Sequence, residues 1–192
     1  MVINMETVYR EAKESDAYGF EYVAANSWKD TYWDLLPQEF LLNRLNRLKS
    51  KEELERKLNS IKEHIKNNPN RTFIALDNDK EVGILEIGEN SPKYKDYGHL
   101  EAIYVLPEYK GHNIGKNLFL LAIKKLIDLG YNKMELECMC GNNTIDFYKK
   151  YGGIELEITK RNIYGKEVDV IIVVFENIKN ILEENTKTNN HK

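Results

Sequence analysis

The chain has 192 residues, of which 42% are hydrophobic and 31% are charged. This length and composition suit one soluble globular domain with a sizeable core and exclude a disordered or fibrous chain. Because 28 lysines and arginines nearly balance 31 aspartates and glutamates, the formal net charge is −3, which argues against nucleic acid as a partner.

The expected location is the cytoplasm. The apolar runs are too short to cross a bilayer, and residues 1–10 lack the basic end and apolar stretch of a signal peptide. Two cysteines, Cys138 and Cys140, are too few for a disulfide framework, which favours a reducing compartment. They are also too few thiolates for a structural zinc site, so no metal is expected.

The first 70 residues predict one strand and three helices. The strand covers residues 6–10, and a helix starts around Asp16, which is a suitable N-cap. Pro37 suits the first turn of a second helix. Ser50 and Glu53 have the spacing of a capping box in front of a third helix.

From residue 72 onwards the pattern is mainly that of strands. Strands are predicted at residues 72–76, 81–87, 99–106, 134–139, 154–159 and 168–175, and helices at residues 114–129 and 143–151. A strand–helix–strand unit beside hairpins implies a mixed sheet. Residues 177–192 are polar and predict a C-terminal tail that ends in disorder after a frayed turn or helix. A single domain is therefore expected over residues 1–176.

The most informative stretch is residues 99–116, where a strand runs into a short polar loop that opens a long helix. A helix N-terminus presents unpaired N–H groups and partial positive charge. Gly111 and Gly115 allow backbone to approach a ligand closely, and Asn113 tolerates a left-handed conformation. With two lysines in the same segment, this pattern predicts a phosphate cradle. A glycine-rich connection that binds nothing is the alternative.

The loop sequence KGHNIG, residues 110–115, resembles motif A of the GNAT N-acetyltransferase superfamily. The family pattern is Arg/Gln-x-x-Gly-x-Gly/Ala after a strand ending in Val-x-Pro-x-Tyr. Gly115 matches, and the upstream residues 104–109, YVLPEY, fit well. Lys110 replaces the Arg/Gln of the pattern, and Asn113 replaces its middle glycine.

A second segment, GNNTIDFYKKYG at residues 141–152, is similar to motif B of the same superfamily, Asn-x-x-Ala-x-x-Phe-Tyr-x-x-x-Gly-Phe. Phe147, Tyr148 and Gly152 fall in register. Asn142 lies next to the position of the family's asparagine, and Gly153 stands where phenylalanine is usual. Two partial motifs in the right order are more specific than either one alone.

The resemblance covers the chain to about residue 175 and implies an α+β fold of three layers. Its central sheet is mixed, mostly antiparallel and about seven-stranded, with flanking helices and with strands four and five splayed apart. Acetyl-CoA would wedge between those strands, and its pyrophosphate would sit on the N–H groups of residues 110–116. The cofactor-binding residues implied are Ile103, Tyr104, Val105, Lys110, Gly111, His112, Asn113, Ile114, Gly115, Lys116, Asn142 and Tyr148.

The implied activity is direct transfer of the acetyl group to a primary amine in a ternary complex. Tyr148 matches the motif B tyrosine near the cofactor sulfur, which makes it the candidate acid. Glu101 is the candidate base, because the family often has a glutamate facing the acceptor in this strand. His99, on the same strand face, and a water relay remain alternative bases. No cysteine occupies a recognised nucleophile position, which disfavours a covalent route.

The aromatic residues Trp28, Tyr32 and Trp33 lie in the segment that lines the acceptor pocket in this family, and a cationic amine can rest against such rings. Core packing is the alternative interpretation. Three acidic residues nearby either attract an amine or are solvated helix charges: Glu21, Asp30 and Asp34. The expected partner is a small-molecule or peptide amine of open identity, with no nucleic acid and no membrane. A homodimer is left open.

The main alternative function is a non-catalytic acyl-CoA-binding module for regulation or sensing, because motif A is incomplete. A weaker alternative is a nucleic-acid-binding domain that uses the helical N-terminal third. The negative net charge counts against it.

Overall fold

The computed structural model describes residues 6–88, 90–91 and 93–189. Residues 1–5 and 190–192 lie outside the described part. The expectations for the first five residues and for the last three residues of the tail therefore fall outside it. Within it, the strands are β1 (Val8–Glu11), β2 (Thr72–Asp77), β3 (Lys80–Ile87), β4 (Tyr97–Val105), β5 (Lys133–Met139), β6 (Ile154–Ile163) and β7 (Lys166–Phe175). The helices are α1 (Ala17–Tyr32), α2 (Gln38–Arg47), α3 (Lys51–Asn67), α4 (Ile114–Asp128), α5 (Thr144–Lys150) and α6 (Ile178–Asn189). Across these residues, no helix has both the length and the apolar character needed to span a bilayer.

The strands form one mixed sheet in the order β1-β2-β3-β4-β5-β7-β6. The β4–β5 pair is parallel, whereas β1–β2, β2–β3, β5–β7 and β6–β7 are antiparallel. This confirms the predicted mixed, mostly antiparallel sheet of seven strands. The parallel register covers only Tyr97–Leu100 against Lys133–Leu136, although β4 continues to Val105. Such a short pairing is what strands that splay apart require.

The chain divides into two compact units, each of which has its own core. Among the described residues, the first comprises residues 6–86 and 102–119. It contains β1 to β3 and α1 to α3, whose apolar faces meet because the hydrophobic residues recur at helical spacing. Its central buried cluster contains Ala12, Ala17, Val23, Ala24, Ile61, Ile65, Ile74, Leu76, Ile84 and Leu106.

The second unit comprises the described residues of the ranges 87–101 and 120–189. Strand β7 reads as an apolar run over residues 170–175, where both of its faces are covered, whereas β5 alternates apolar residues with glutamates. Their fully or nearly fully buried residues include Met134, Leu136, Ile172, Val173, Val174 and Phe175. A Cβ atom on Gly98 would lie only 2.7 Å from the Leu126 side chain. Glycine at this position therefore lets α4 lie close against β4 within this unit.

Helix α6 lies in the segment where the composition predicts a frayed turn or helix followed by disorder. Ile178 and Ile181, three residues apart on one helix face, are both buried. The Ile178 N–H also donates a hydrogen bond to the Asn132 carbonyl at 2.9 Å. Two apolar residues anchor this otherwise polar segment, which composition alone does not reveal. The proposed domain boundary at residue 176 stays a prediction.

Two local expectations differ from the structure. Ser50 is the N-cap of α3, but its side chain makes no capping hydrogen bond, so the capping box does not form. The strands predicted at residues 154–159 and 168–175 are longer than expected, because β6 ends at Ile163 and β7 begins at Lys166. Tyr164 and Gly165 alone make the turn with positive φ values of 52° and 78°, as a tight hairpin of two residues requires.

Candidate active site

The N-terminus of α4, in the first unit, has the backbone geometry of an anion cradle. Gly111 and Asn113 have positive φ values of 83° and 62°, and alternating left-handed residues turn successive N–H groups towards one side. The first helical hydrogen bond runs from Asn117 N–H to the Asn113 carbonyl at 2.9 Å. Among the described residues, no acceptor meets the N–H groups of residues 111–116. These donors, with open space beside Gly111, fit a pyrophosphate.

Close packing beneath α4 fixes the direction of this helix. A Cβ atom on Gly83 of β3 would lie 3.1 Å from Leu118 and 3.2 Å from Ile114, so the first turns of α4 rest directly on that strand. Gly115 differs, because its Cβ would meet only Val105, at 3.8 Å. Protein packing therefore does not require glycine at position 115, and its open side is available to a ligand.

The cationic side chains of the cradle differ in their pairing. Lys110 Nζ lies 2.5 Å from Asp30 Oδ2, so its charge is already shared with α1. Lys116 is half-buried, and no acidic partner for it exists among the described residues. His112 is exposed, and its Nδ1 lies 3.4 Å from the Tyr109 carbonyl. To contact an anion bound here, Lys110 would have to leave Asp30 or bridge both groups.

The end of β4 carries the backbone groups expected to meet the pantetheine. Ile103, Tyr104 and Val105 are all half-buried. The Val105 carbonyl already accepts a hydrogen bond of 3.0 Å from the Ser27 hydroxyl of α1. A second partner at this carbonyl would have to use its other lone pair.

Aromatic rings from α1, α2 and β4 form a cluster around Trp28. Ring centroids of Tyr32, Phe40 and Tyr104 lie 5.0, 5.9 and 6.1 Å from the Trp28 centroid. Burial raises the pKa of the Tyr104 hydroxyl well above its usual range, with a further contribution from Tyr32. The Tyr104 hydroxyl is therefore neutral at physiological pH.

Trp33, the third aromatic residue predicted to bind substrate, does not join this cluster. Its ring faces Lys29, whose Nζ lies 5.9 Å from the ring centroid. The structure thus groups Trp28 and Tyr32 but separates Trp33 from them.

Two residues of α2 that the sequence analysis missed complete the cluster. Phe40 packs on Trp28, and the Arg44 guanidinium carbon lies 4.5 Å above the Trp28 ring. Because Phe40 and Arg44 are four residues apart, the sequence places them on the same face of α2. It does not show which part of the protein this face contacts. The Trp28 face expected to hold a cationic amine is therefore occupied by a cation of the protein itself.

The acidic residues of the first unit do not behave alike. Glu21 is 1% exposed, and its Oε1 lies 3.2 Å from Arg47 Nη1. Asp30 pairs with Lys110, as described above, and Asp34 is exposed. Glu21 is therefore a buried charge with a partner and not a solvated helix charge.

In the second unit, His99 lies between two carboxylates. His99 Nε2 is 2.9 Å from Glu101 Oε2, and His99 Nδ1 is 2.9 Å from Glu135 Oε2. Burial opposes the imidazolium, but the hydrogen bonds to both glutamates outweigh it and raise the pKa of His99 to about 9. His99 is therefore protonated at neutral pH, which counts against it as the base. Glu101 keeps a 55% exposed side chain.

Glu135 was not identified from the sequence. Its strand reads MELECM, and Glu135 is 2% exposed between the buried Met134 and Leu136. A charged residue in an apolar strand is a signal that something pairs with it. The partner follows only from the parallel register, in which His99 is directly opposite Glu135.

Tyr148 lies on α5 and is half-buried, with its ring centroid 5.5 Å from that of Phe147. Its carbonyl accepts hydrogen bonds of 3.0 Å from the N–H groups of Tyr151 and Gly153. A Cβ atom on Gly153 would lie 2.9 Å from that carbonyl and 2.9 Å from the Val173 side chain. This close approach explains why no phenylalanine follows Gly152 in this motif B.

Asn142 lies two residues before the same helix. Its Oδ1 accepts hydrogen bonds from the Thr144 N–H at 3.0 Å and from the Thr144 hydroxyl at 2.8 Å. The side-chain oxygen of Asn142 thus holds the first turn of α5, and its side-chain amide group is left for other partners.

The two cysteines lie at the end of β5 and just after it. Burial raises the pKa of the Cys138 thiol to about 11, and burial also raises the pKa of Cys140. Neither is a thiolate at neutral pH, which is the state that a nucleophilic cysteine needs. Among the described residues, no cluster of three or more His, Cys, Asp and Glu side chains is arranged to hold a metal ion.

Comparison with known proteins agrees with the resemblance to the GNAT family. The model of the acetyltransferase (GNAT) family matches residues 27–153. An uncharacterized N-acetyltransferase of Bacillus subtilis (strain 168), YuaI, is 30% identical over 145 residues, which are 74% of this chain and 77% of that protein.

Solved structures of the same family have the same fold. The PaiA N-acetyltransferase of Thermoplasma acidophilum, in complex with coenzyme A, has a TM-score of 0.61 at 24% identity, over 87% of this chain and 98% of that one. YncA of Salmonella typhimurium, a putative acetyltransferase with its cofactor acetyl-CoA, has a TM-score of 0.59 at 16% identity, over 88% of this chain and 92% of that one. At such identities the likeness establishes the fold.

Proposed function

This chain belongs to the acetyltransferase (GNAT) family and is an N-acetyltransferase, and we propose that it moves the acetyl group of acetyl-CoA directly to a primary amine within a ternary complex. The acetyl donor is proposed from the cradle at the start of α4. The N–H groups of residues 111–116 have no acceptor among the described residues, and this observation carries the proposal. Backbone donors at a helix N-terminus suit a pyrophosphate without needing a broad basic surface.

The proposed contacts follow the two motifs. The N–H groups of residues 111–116 would hold the pyrophosphate, with Lys110 and Lys116 adding charge. Main-chain groups of residues 103–105 would pair with the pantetheine. The Asn142 side-chain amide would be a further cofactor contact.

The proposed base is Glu101. An alkyl ammonium has a pKa of roughly 10, so the acceptor must lose a proton before it can attack. Glu101 is exposed enough to meet an acceptor, and the His99 imidazolium orients its carboxylate. Glu135 holds the other side of that imidazolium. His99 would therefore be a positioning residue.

The proposed acid is Tyr148, which would protonate the thiolate of CoA as it leaves. This role rests on its match to the motif B tyrosine. Direct transfer is favoured over a covalent acetyl-enzyme because neither Cys138 nor Cys140 is a thiolate at neutral pH.

Initial rates of free-thiol release, with acetyl-CoA and a panel of primary amines both varied, test this proposal. A ternary complex predicts intersecting double-reciprocal lines. Parallel lines, or loss of turnover in a variant with Cys138→Ala and Cys140→Ala, would instead indicate an acetyl-enzyme. Calorimetric binding of acetyl-CoA without thiol release for any amine would favour the non-catalytic acyl-CoA-binding module.

A further inference from the structure

Helices α1 and α2 place two guanidinium groups near one buried carboxylate. Glu21 of α1 is 1% exposed and pairs with Arg47 at 3.2 Å. Arg44, three residues before Arg47 on α2, also feels the negative charge of Glu21. Glu21 thus forms an ion pair with Arg47, whereas Arg44 lies in the field of the same carboxylate without pairing with it.

Arg44 is the arginine whose hydrogen-bonding groups are not satisfied. Its Nε is buried and has no hydrogen-bond partner. Its guanidinium forms no hydrogen bond or ion pair with any described residue. It stacks on Trp28, with Cζ 4.5 Å from the ring centroid, and lies 6.0 Å from the Phe40 centroid. Burial lowers the pKa of Arg44 from its usual value, which means that the charged guanidinium is less stable here than in water.

An unpaired, partly buried guanidinium is destabilising, because its lost hydration is not replaced. The Trp28 ring holds the planar guanidinium of Arg44 in one orientation, which reduces the conformational entropy that Arg44 loses when a ligand binds. A carboxylate is the natural partner, since it accepts two parallel N–H bonds from that fork. The neutral hydroxyl of Tyr104 in the same cluster adds no negative charge that would repel such a ligand.

We propose that the amine acceptor also carries a carboxylate, as an amino acid does, and that Arg44 binds this carboxylate beside Trp28. The inference rests on the proposed acetyl transfer and narrows its substrate class. An acceptor with only positive charges, such as a polyamine, would meet the Arg44 guanidinium with like charge and would offer it no hydrogen-bond acceptor. Trp28 and Tyr32 then contribute apolar walls and not a cation-binding face.

The test uses pairs of amines that differ only by the carboxylate: L-lysine with cadaverine, and L-phenylalanine with 2-phenylethylamine. The rate of thiol release gives kcat/KM for each. The wild type should favour the carboxylate-bearing member of at least one pair by tenfold or more, as expected for hydrogen bonds to a charged group worth roughly 1.5–3 kcal/mol. Arg44→Gln should reduce that preference to about threefold or less, mainly through KM.

Two further variants separate binding from structure. Arg56→Gln, which removes an exposed arginine of α3, should keep the full preference. Arg44→Met should lose the preference while the thermal unfolding midpoint stays equal or rises, since it removes an unpaired charge from a partly buried site. A purely structural arginine predicts the reverse, with a lower midpoint and an unchanged preference.

A binding measurement decides the outcome even if no amine is a substrate. Calorimetry with N-acetyl-L-phenylalanine and with N-acetyl-2-phenylethylamine should show tighter binding of the former to the wild type and no difference in Arg44→Gln. Equal binding of the two by the wild type, or a preference that survives in Arg44→Gln, would overturn the role of Arg44. Absence of thiol release for every amine would overturn the proposed function alone.

Discussion

His99 Nδ1 lies 2.9 Å from Glu135 Oε2, and both side chains are buried in the second unit. Because a second carboxylate, Glu101, meets the other ring nitrogen, the imidazole is protonated at neutral pH. Glu135 therefore acts on the proposed base through His99. It fixes the charge and orientation of the ring that orients Glu101.

This pair predicts how stability depends on pH. The pKa of His99 is about 9 in the folded protein, against 6.5 for an unperturbed histidine, so its contribution is fully present below pH 6.5. That contribution is lost as the pH rises through 9. The difference corresponds to roughly 3 kcal/mol of unfolding free energy. Denaturant unfolding between pH 6 and pH 10 measures the loss.

Glu135→Gln should lower the pKa of His99 and flatten this pH dependence. The control is Glu137→Gln, which removes an exposed glutamate of the same strand that pairs with Arg161. Proton NMR titration of the His99 ring reports the pKa directly. An unchanged His99 pKa in Glu135→Gln would show that the buried pair does not hold the imidazolium.

Tyr148→Phe should lower kcat by about 100-fold, the usual contribution of a positioned proton donor. Affinity for CoA should change little, because the ring that packs on Phe147 is retained. The rate of free-thiol release at saturating substrate concentrations gives kcat, and calorimetry with CoA gives the affinity. Wild-type turnover in this variant would remove Tyr148 from the proposed chemistry.

Gly153→Ala should lower the free energy of unfolding by roughly 1–3 kcal/mol, because the added methyl group would lie 2.9 Å from the Tyr148 carbonyl. Gly115→Ala is the matched control. Its methyl group would meet only Val105 at 3.8 Å, so stability should stay equal or rise, given the better helix propensity of alanine. Urea denaturation measures both variants, and equal stabilities would contradict the packing argument at Gly153.

Asp30→Asn should tighten CoA binding by about threefold at low salt, because it releases Lys110 from an exposed ion pair worth less than 1 kcal/mol. Asp34→Asn is the control, since Asp34 is exposed and follows directly after the helix that carries Asp30. Screening should remove the gain near 0.5 M salt. Weaker CoA binding by Asp30→Asn would show that Asp30 positions Lys110 for the ligand instead of competing with it.

The sequence predicts the backbone of the cradle well and the side-chain networks poorly. Asn113 has the left-handed backbone that its residue type suggests, and α4 starts at Ile114 as its periodicity predicts. These features depend on local sequence. The pairing of Glu135 with His99 instead depends on strand register, and the stacking of Arg44 on Trp28 depends on how two helices meet.

Helix α6 in the C-terminal tail also depends on tertiary contacts that the local sequence does not show. A polar segment predicts little helix by itself, but burial of Ile178 and Ile181 anchors α6. Tertiary packing commonly overrides weak local propensity in this way.

The central claim is that backbone N–H groups at the start of α4 bind the pyrophosphate of acetyl-CoA, and calorimetric titration of CoA into Gly115→Asp tests it most directly. Aspartate in the first turn of a helix is favourable, and the side of Gly115 is open, so the variant should fold with unchanged stability. Its carboxylate would occupy the cradle, and the affinity for CoA should fall by about thirtyfold, roughly 2 kcal/mol. Wild-type affinity in a folded Gly115→Asp protein would contradict the claim.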